Sequence, residues 1–306
     1  MYTGAQLRRG LSNPKLLLRE LNRLYFSRGR RYEFNRSGVD IFEEDWDNLV
    51  VLDACRYDMF AERDSLPGRA EKRRSRGSNT VEFLRGNFAG RDLTDTVYVT
   101  ANPQLYRHRD WLDPTLHAVR NIWQGDDWDD ELGTVTPETT TERALEVADE
   151  FPDKRLVVHY IQPHYPFIES DTDFDKGQLE DPDAPPSFWQ RIMRGRLDVP
   201  TDTIWDAYTE NLETALPHVE TLLDSLPGKT VVTSDHGNMV GERSFPIPIR
   251  EWGHPAGQYT DELVDVPWLV VESESRKRIV AEPPERESSG DDDDVAERLR
   301  DLGYAE

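Results

Sequence analysis

The chain has 306 residues, enough for one large α/β domain or two small ones, and 60 acidic against 37 basic residues give it a net charge of −23. Acidity spread along the whole length, with only six lysines among the cations, points to a halophile's protein, soluble where salt screens charge within about 3 Å. It also argues against nucleic acid as a partner. The single cysteine, Cys55, excludes an internal disulfide, and no apolar run approaches a membrane span or a signal core, so a cytoplasmic location is expected.

Residues 1–40 form a basic segment, with nine arginines and lysines between Met1 and Arg36 against Glu20 and Glu33. Leu16, Leu17, Leu18, Leu21, Leu24, Tyr25 and Phe26 give it a partly amphipathic helix ending near Ser27-Arg28-Gly29. Such a helix either lies peripherally on an anionic membrane surface or packs across the domain with its arginines paired to carboxylates.

From 41 to 275 short β-branched runs alternate with helical periodicity, the pattern of an α/β domain with a mostly parallel central sheet and helices on both faces. Strands are predicted at Asn48–Asp53, Asp95–Ala101, Arg155–Ile161, Lys229–Ser234 and Val266–Val271. Helices are predicted at Thr80–Phe88, Pro114–Trp123, Pro137–Phe151 and Asp202–Leu226. Asp171 to Pro186 reads as a surface insertion or lid. Residues 276–306 read as an acidic linker and a terminal helix, Val295–Leu302.

Three strands run into polar clusters: Asp53-Ala54-Cys55-Arg56-Tyr57-Asp58, then His159 through Pro166, then Ser234-Asp235-His236-Gly237. In a parallel sheet such ends converge, and active sites gather beyond them. Carboxylate and imidazole from Asp53, Asp235 and His236 are good ligands for zinc or manganese.

These clusters resemble the alkaline phosphatase superfamily, in its sulfatase-like and phosphodiesterase- or phosphotransferase-like branches. The resemblance runs from about Asn48 to Val271. Asp53 opens a motif similar to Asp-Gly/Ala-x-Arg-x-Asp, Pro163-His164-Tyr165-Pro166 is similar to Pro-His-x-Pro, and Ser234-Asp235-His236-Gly237 is the most specific match. Trp252-Gly253-His254 and Val266-Pro267-Trp268 complete the order.

The resemblance implies a nucleophile at a helix N-terminus between Asp53 and Asp235. Thr80 is the choice and Ser78 the runner-up, within Gly77-Ser78-Asn79-Thr80. It implies one divalent ion, manganese or zinc, on Asp53, Thr80, Asp235 and His236, with His164 and His254 holding phosphate or protonating the leaving oxygen. Arg56 fits a phosphate oxygen or a pair with Asp58, and His159 fits a ligand or substrate contact or a plain strand position. The substrate would be a phosphate ester, small or linked to sugar or lipid.

Two positions depart from the family. Cys55 is followed by Arg56-Tyr57-Asp58, unlike the sulfatase cysteine motif, which argues against sulfate-ester hydrolysis. Tyr160 stands where two-metal members place an aspartate, which puts a second ion in question. The rival from another class is a non-catalytic binding protein that retains the fold.

Overall fold

In the computed structural model, residues 14–63, 65–169, 188–193, 195 and 197–285 are described; the expected lid and terminal helix lie outside them. Helix α1 spans Pro14–Phe26, followed by β1 (Asn48–Asp53), α2 (Tyr57–Arg63), β2 (Glu71–Arg74), α3 (Thr80–Asn87), β3 (Asp92–Thr100) and β4 (Thr115–Asn121). Then come α4 (Pro137–Glu150), β5 (Arg155–Pro163), α5 (Phe188–Met193), α6 (Thr201–Ser225), β6 (Thr230–Thr233), β7 (Met239–Arg243), β8 (Arg250–Gly253) and β9 (Asp265–Val271). The protein is therefore α/β, as expected.

Seven strands form one sheet in the order β2-β9-β6-β1-β5-β3-β4, while β7 and β8 pair as a separate hairpin. Strand β1 is parallel to β5 and β6, and β3 is parallel to β4 and β5. Only β9 runs against its neighbours β6 and β2. All six residues of β1 are buried, because a central strand is covered on both faces and needs apolar side chains on both.

Alternate residues divide between two cores. Val50, Leu52, Val158 and Val232 meet α2, α4 and α6 through Met59, Phe60, Ala144, Tyr208 and Leu212. Leu49, Val51, Val157 and Val231 meet α3 through Phe83 and Leu84 on the opposite face. Burying each such side chain stabilises the fold by roughly 1.5–3 kcal/mol.

The helix predicted at Pro114–Trp123 is instead strand β4, at the sheet edge and parallel to β3. Leu116, Val119 and Trp123 fall at helical spacing, but so short a run does not settle the period, and pairing with β3 decides it. The hairpin β7–β8 lies where no strand was predicted. The tight turns after β1 and β6 lead straight into the site.

Candidate active site

The register between β1 and β5 slips at the last residue of β1, so that Asp53 stands opposite Pro163. Ala54 then turns the chain with φ of 62°, a left-handed conformation uncommon for a residue with a β-carbon. That turn points the Ala54 N–H at Asp235, donating to Oδ1 at 3.0 Å. The His236 N–H donates to the same oxygen at 2.9 Å. The Asp235 carboxyl is accordingly held below the usual range: burial alone would raise it, and is outweighed by His236, His159, the Ala54 N–H and Thr80.

Ser234 ties the two turns together, its hydroxyl accepting from Cys55 N at 2.9 Å and donating to the His236 carbonyl at 2.6 Å. Gly237 closes this turn. Its φ is not left-handed; instead the Glu262 carbonyl sits where a β-carbon would go, and Gly237 N donates to Leu263 O at 2.8 Å. Close backbone approach, not conformation, requires glycine here.

Helix α3 brings Thr80 to this point. Asn79 caps the helix by accepting from Glu82 N at 2.9 Å, which leaves the Thr80 hydroxyl out of the capping. Thr80 Oγ1 lies 3.3 Å from His236 Nε2. Ser78, the alternative nucleophile, has its hydroxyl between Glu82 Oε2 at 2.8 Å and Pro255 O at 3.0 Å.

His236 Nδ1 donates to the Gly237 carbonyl at 2.7 Å, which turns Nε2 toward the carboxylates. Nε2 is 3.4 Å from Asp53 Oδ1 and 3.3 Å from Asp235 Oδ2. All three side chains are buried. Two carboxylates gathered away from water repel, and a cation held between them and Nε2 would offset that. Asp235 Oδ2 has no hydrogen-bond donor, and neither it nor His159 Nε2 makes a hydrogen bond. The donor set of oxygens and imidazole nitrogen fits a divalent transition ion.

His159 enters this group; the sequence left it between a ligand or substrate contact and a plain strand residue. Asp53, His159 and Asp235 each offer a ligand atom, all within 4.8 Å of one another. His159 Nε2 lies 3.8 Å from Asp235 Oδ2, and Nδ1 is fixed by the Tyr98 hydroxyl at 2.6 Å. Burial lowers the His159 pKa from its usual 6.5 to about 4, so the imidazole is neutral, as a ligand must be. A further residue, Asn102, donates from Nδ2 to Asp53 and lies 3.5 Å from Thr80 Oγ1. Its signal was available: it follows β3, a fourth strand ending on the same side.

His164 and His254 pair at 3.0 Å between their Nε2 atoms. His164 Nδ1 faces the Tyr165 carbonyl and carries the proton, so His254 Nε2–H donates to a neutral His164. Burial, reinforced by His236, lowers the His164 pKa to about 4; burial, His236 and His164 put that of His254 well below 6.5. The His254 ring lies 4.7 Å from that of His236 between centroids, and His254 is only half-buried, at the mouth of the site. Asn211 of α6 clamps the His164 turn by donating to the carbonyls of Pro163, His164 and Pro166.

Arg56 does not stand ready for phosphate. Its guanidinium is bound by Asp58 and by Glu242, donates to the Asn238 carbonyl and stacks on Trp205. Of the two readings of Arg56, the pair with Asp58 is present, and Glu242 extends it into a brace between α2 and β7. Tyr160 turns to the opposite face of the sheet and bonds Thr141 at 2.6 Å, so it offers nothing at the second-ion position.

No protein-family model matches the chain, and no curated protein matches it. Among solved structures it is similar to the integral membrane lipooligosaccharide phosphoethanolamine transferase A from Neisseria meningitidis, at 13% identity and a TM-score of 0.47 over 74% of this chain. It is similar to the periplasmic domain of a phosphoethanolamine transferase from Campylobacter jejuni, at 14% identity and 0.44, over 74% of this chain and 78% of that one. A phosphonate monoester hydrolase from Silicibacter pomeroyi gives 14% and 0.41, over 83% and 72%. The chain spans 47% of the length of the first of these proteins.

Proposed function

We propose that the chain is a divalent-metal-dependent enzyme of the alkaline phosphatase superfamily that cleaves phosphate esters through a phosphorylated Thr80. The observation that carries this reading is the meeting of Asp53, Asp235 and His236 with the hydroxyl of Thr80 at the first turn of α3. Asp53, Asp235, His236 and Thr80 would hold the ion, with His159 as a further ligand on the sheet side. A divalent ion there lowers the pKa of a hydroxyl and neutralises charge building on phosphate oxygens.

Thr80 forms the new bond to phosphorus from a helix N-terminus, where the backbone N–H groups favour an anion. The ester P–O bond breaks, and the departing oxygen takes the proton that the Thr80 hydroxyl gives up, relayed by the neutral His164–His254 pair. Water or an alcohol then attacks the phosphothreonine, restores the hydroxyl and releases the phosphoryl group. The choice between water and alcohol, and so between hydrolase and transferase, lies with what enters past His254.

The test is hydrolysis of an aryl phosphodiester by the purified chain with manganese or zinc, beside Thr80→Ala. Turnover should require the ion and fall by about 10³-fold or more in the variant, while the variant still binds metal. Metal-dependent turnover undiminished in Thr80→Ala would remove Thr80 from the mechanism. Neither turnover nor bound metal would leave a binding protein with this fold.

A further inference from the structure

Helix α1 packs Phe26 against Tyr259 yet leaves a second apolar stripe uncovered. Its one fully buried side chain is polar: Asn22 donates to Ser244 Oγ at 2.8 Å and to the Ile247 carbonyl at 2.9 Å, and accepts from Ile247 N. Beside it Arg19 reaches the buried carboxylate of Glu251 at 2.8 Å. The flank beside it carries Leu17, Leu21 and Tyr25, one above another at four-residue spacing and 40%, 52% and 53% exposed. Tyr25 continues onto Phe245 at the tip of the β7–β8 hairpin, 56% exposed and 5.6 Å away between ring centroids. Among the described residues only one other large hydrophobic side chain, Trp111, is exposed.

The charge around this stripe reverses that of the molecule. Lys15 precedes it, and Arg28, Arg30 and Arg31 follow directly after α1, all exposed. Residues 1–36 carry nine cations and two carboxylates in a chain of net charge −23. Of those two, Glu20 already pairs with Arg23 and Arg30, and Glu33 with Arg85.

We infer that this face docks on an anionic lipid bilayer, with Leu17, Leu21, Tyr25 and Phe245 entering the headgroup boundary and the arginines meeting lipid phosphates. Leucine and aromatic side chains on one face with cations at its ends are what such an interface binds. A twofold contact with a second copy would set one basic arm against another, which like charge opposes. An acidic protein keeps the rest of its surface away from the same bilayer, so docking has a fixed orientation. The hairpin that touches the surface continues through β8 to His254, so the mouth of the site is carried on the docked element.

The experiment is flotation of the full chain with vesicles of equimolar phosphatidylglycerol and phosphatidylcholine, beside phosphatidylcholine alone, at the lowest salt that preserves its circular dichroism. The wild type should float with the anionic vesicles. Leu17→Gln, Leu21→Gln and Tyr25→Gln combined, all at exposed sites, should weaken this by about tenfold or more. Lys15→Gln with Arg31→Gln should reduce only the preference for anionic lipid. Equal binding to neutral vesicles, no binding, or undiminished binding by the triple variant would overturn the inference. A concentration-dependent dimer that the triple variant abolishes, without vesicle binding, would assign the face to a second copy instead.

Discussion

Asp235 is the residue on which the site turns, because it accepts two backbone N–H groups with one oxygen and offers the other to whatever cation is held. Asp235→Asn keeps the volume, removes a buried charge and replaces an acceptor with an amide. Metal should raise the melting temperature of the wild type, since a ligand at 100 times its Kd adds about 2.7 kcal/mol to stability. The same addition should leave Asp235→Asn unmoved, and calorimetry with and without chelator measures it. A variant that still gains the full increment would remove Asp235 from the ligand set. The motif around it was legible because Asp, His and Gly are contiguous; His159 was harder, since a buried strand histidine is meaningful only once Tyr98 and Asp235 are seen beside it.

At the level of elements, α1 and α6 each fasten a part of the site that sequence periodicity does not show. Glu251 is fully buried and its pKa is raised, burial outweighing Arg19 and Gln258. Arg19→Met would strand that carboxylate and should cost about 3 kcal/mol in urea unfolding. Adding Glu251→Gln should return most of it, because the neutral amide does not need the cation. If the single variant costs nothing, α1 is held by its other contacts. The strands around the site were readable from their apolar runs, within a few residues at each end. Strand β4 was not, because its Leu116, Val119 and Trp123 mimic a helix. The β7–β8 hairpin also escaped, because its pairing is set by the helix and loops that cover it and its own residues have no clear alternation.

For the molecule as a whole, three histidines around the site are held neutral. Burial lowers His159 and His164 from 6.5 to about 4 and His254 well below 6.5. In that interval the unfolded chain takes up protons that the folded chain refuses, so stability falls as pH drops from about 6.5 toward 4 and is unaffected by these groups above 6.5. Each should contribute roughly 1.4 kcal/mol per pH unit within the window. Thermal melts of metal-free protein across this range measure the slope, and a flat profile would mean the imidazoles protonate in place.

The strand that supplies Asp53 occupies the middle of the sheet, yet it precedes both of its neighbours: Asn48 stands opposite Leu156 on one side and Thr230 on the other. The Ala54 N–H must meet a carboxylate 181 positions further along. At a ribosome adding about 5–20 residues each second, that is a wait of roughly 10–40 s. During it Asp53, Thr80 and His159 have emerged, and Asp235 and His236 have not. A nascent chain therefore has no finished ligand set to offer any ion, and loading follows the emergence of His236.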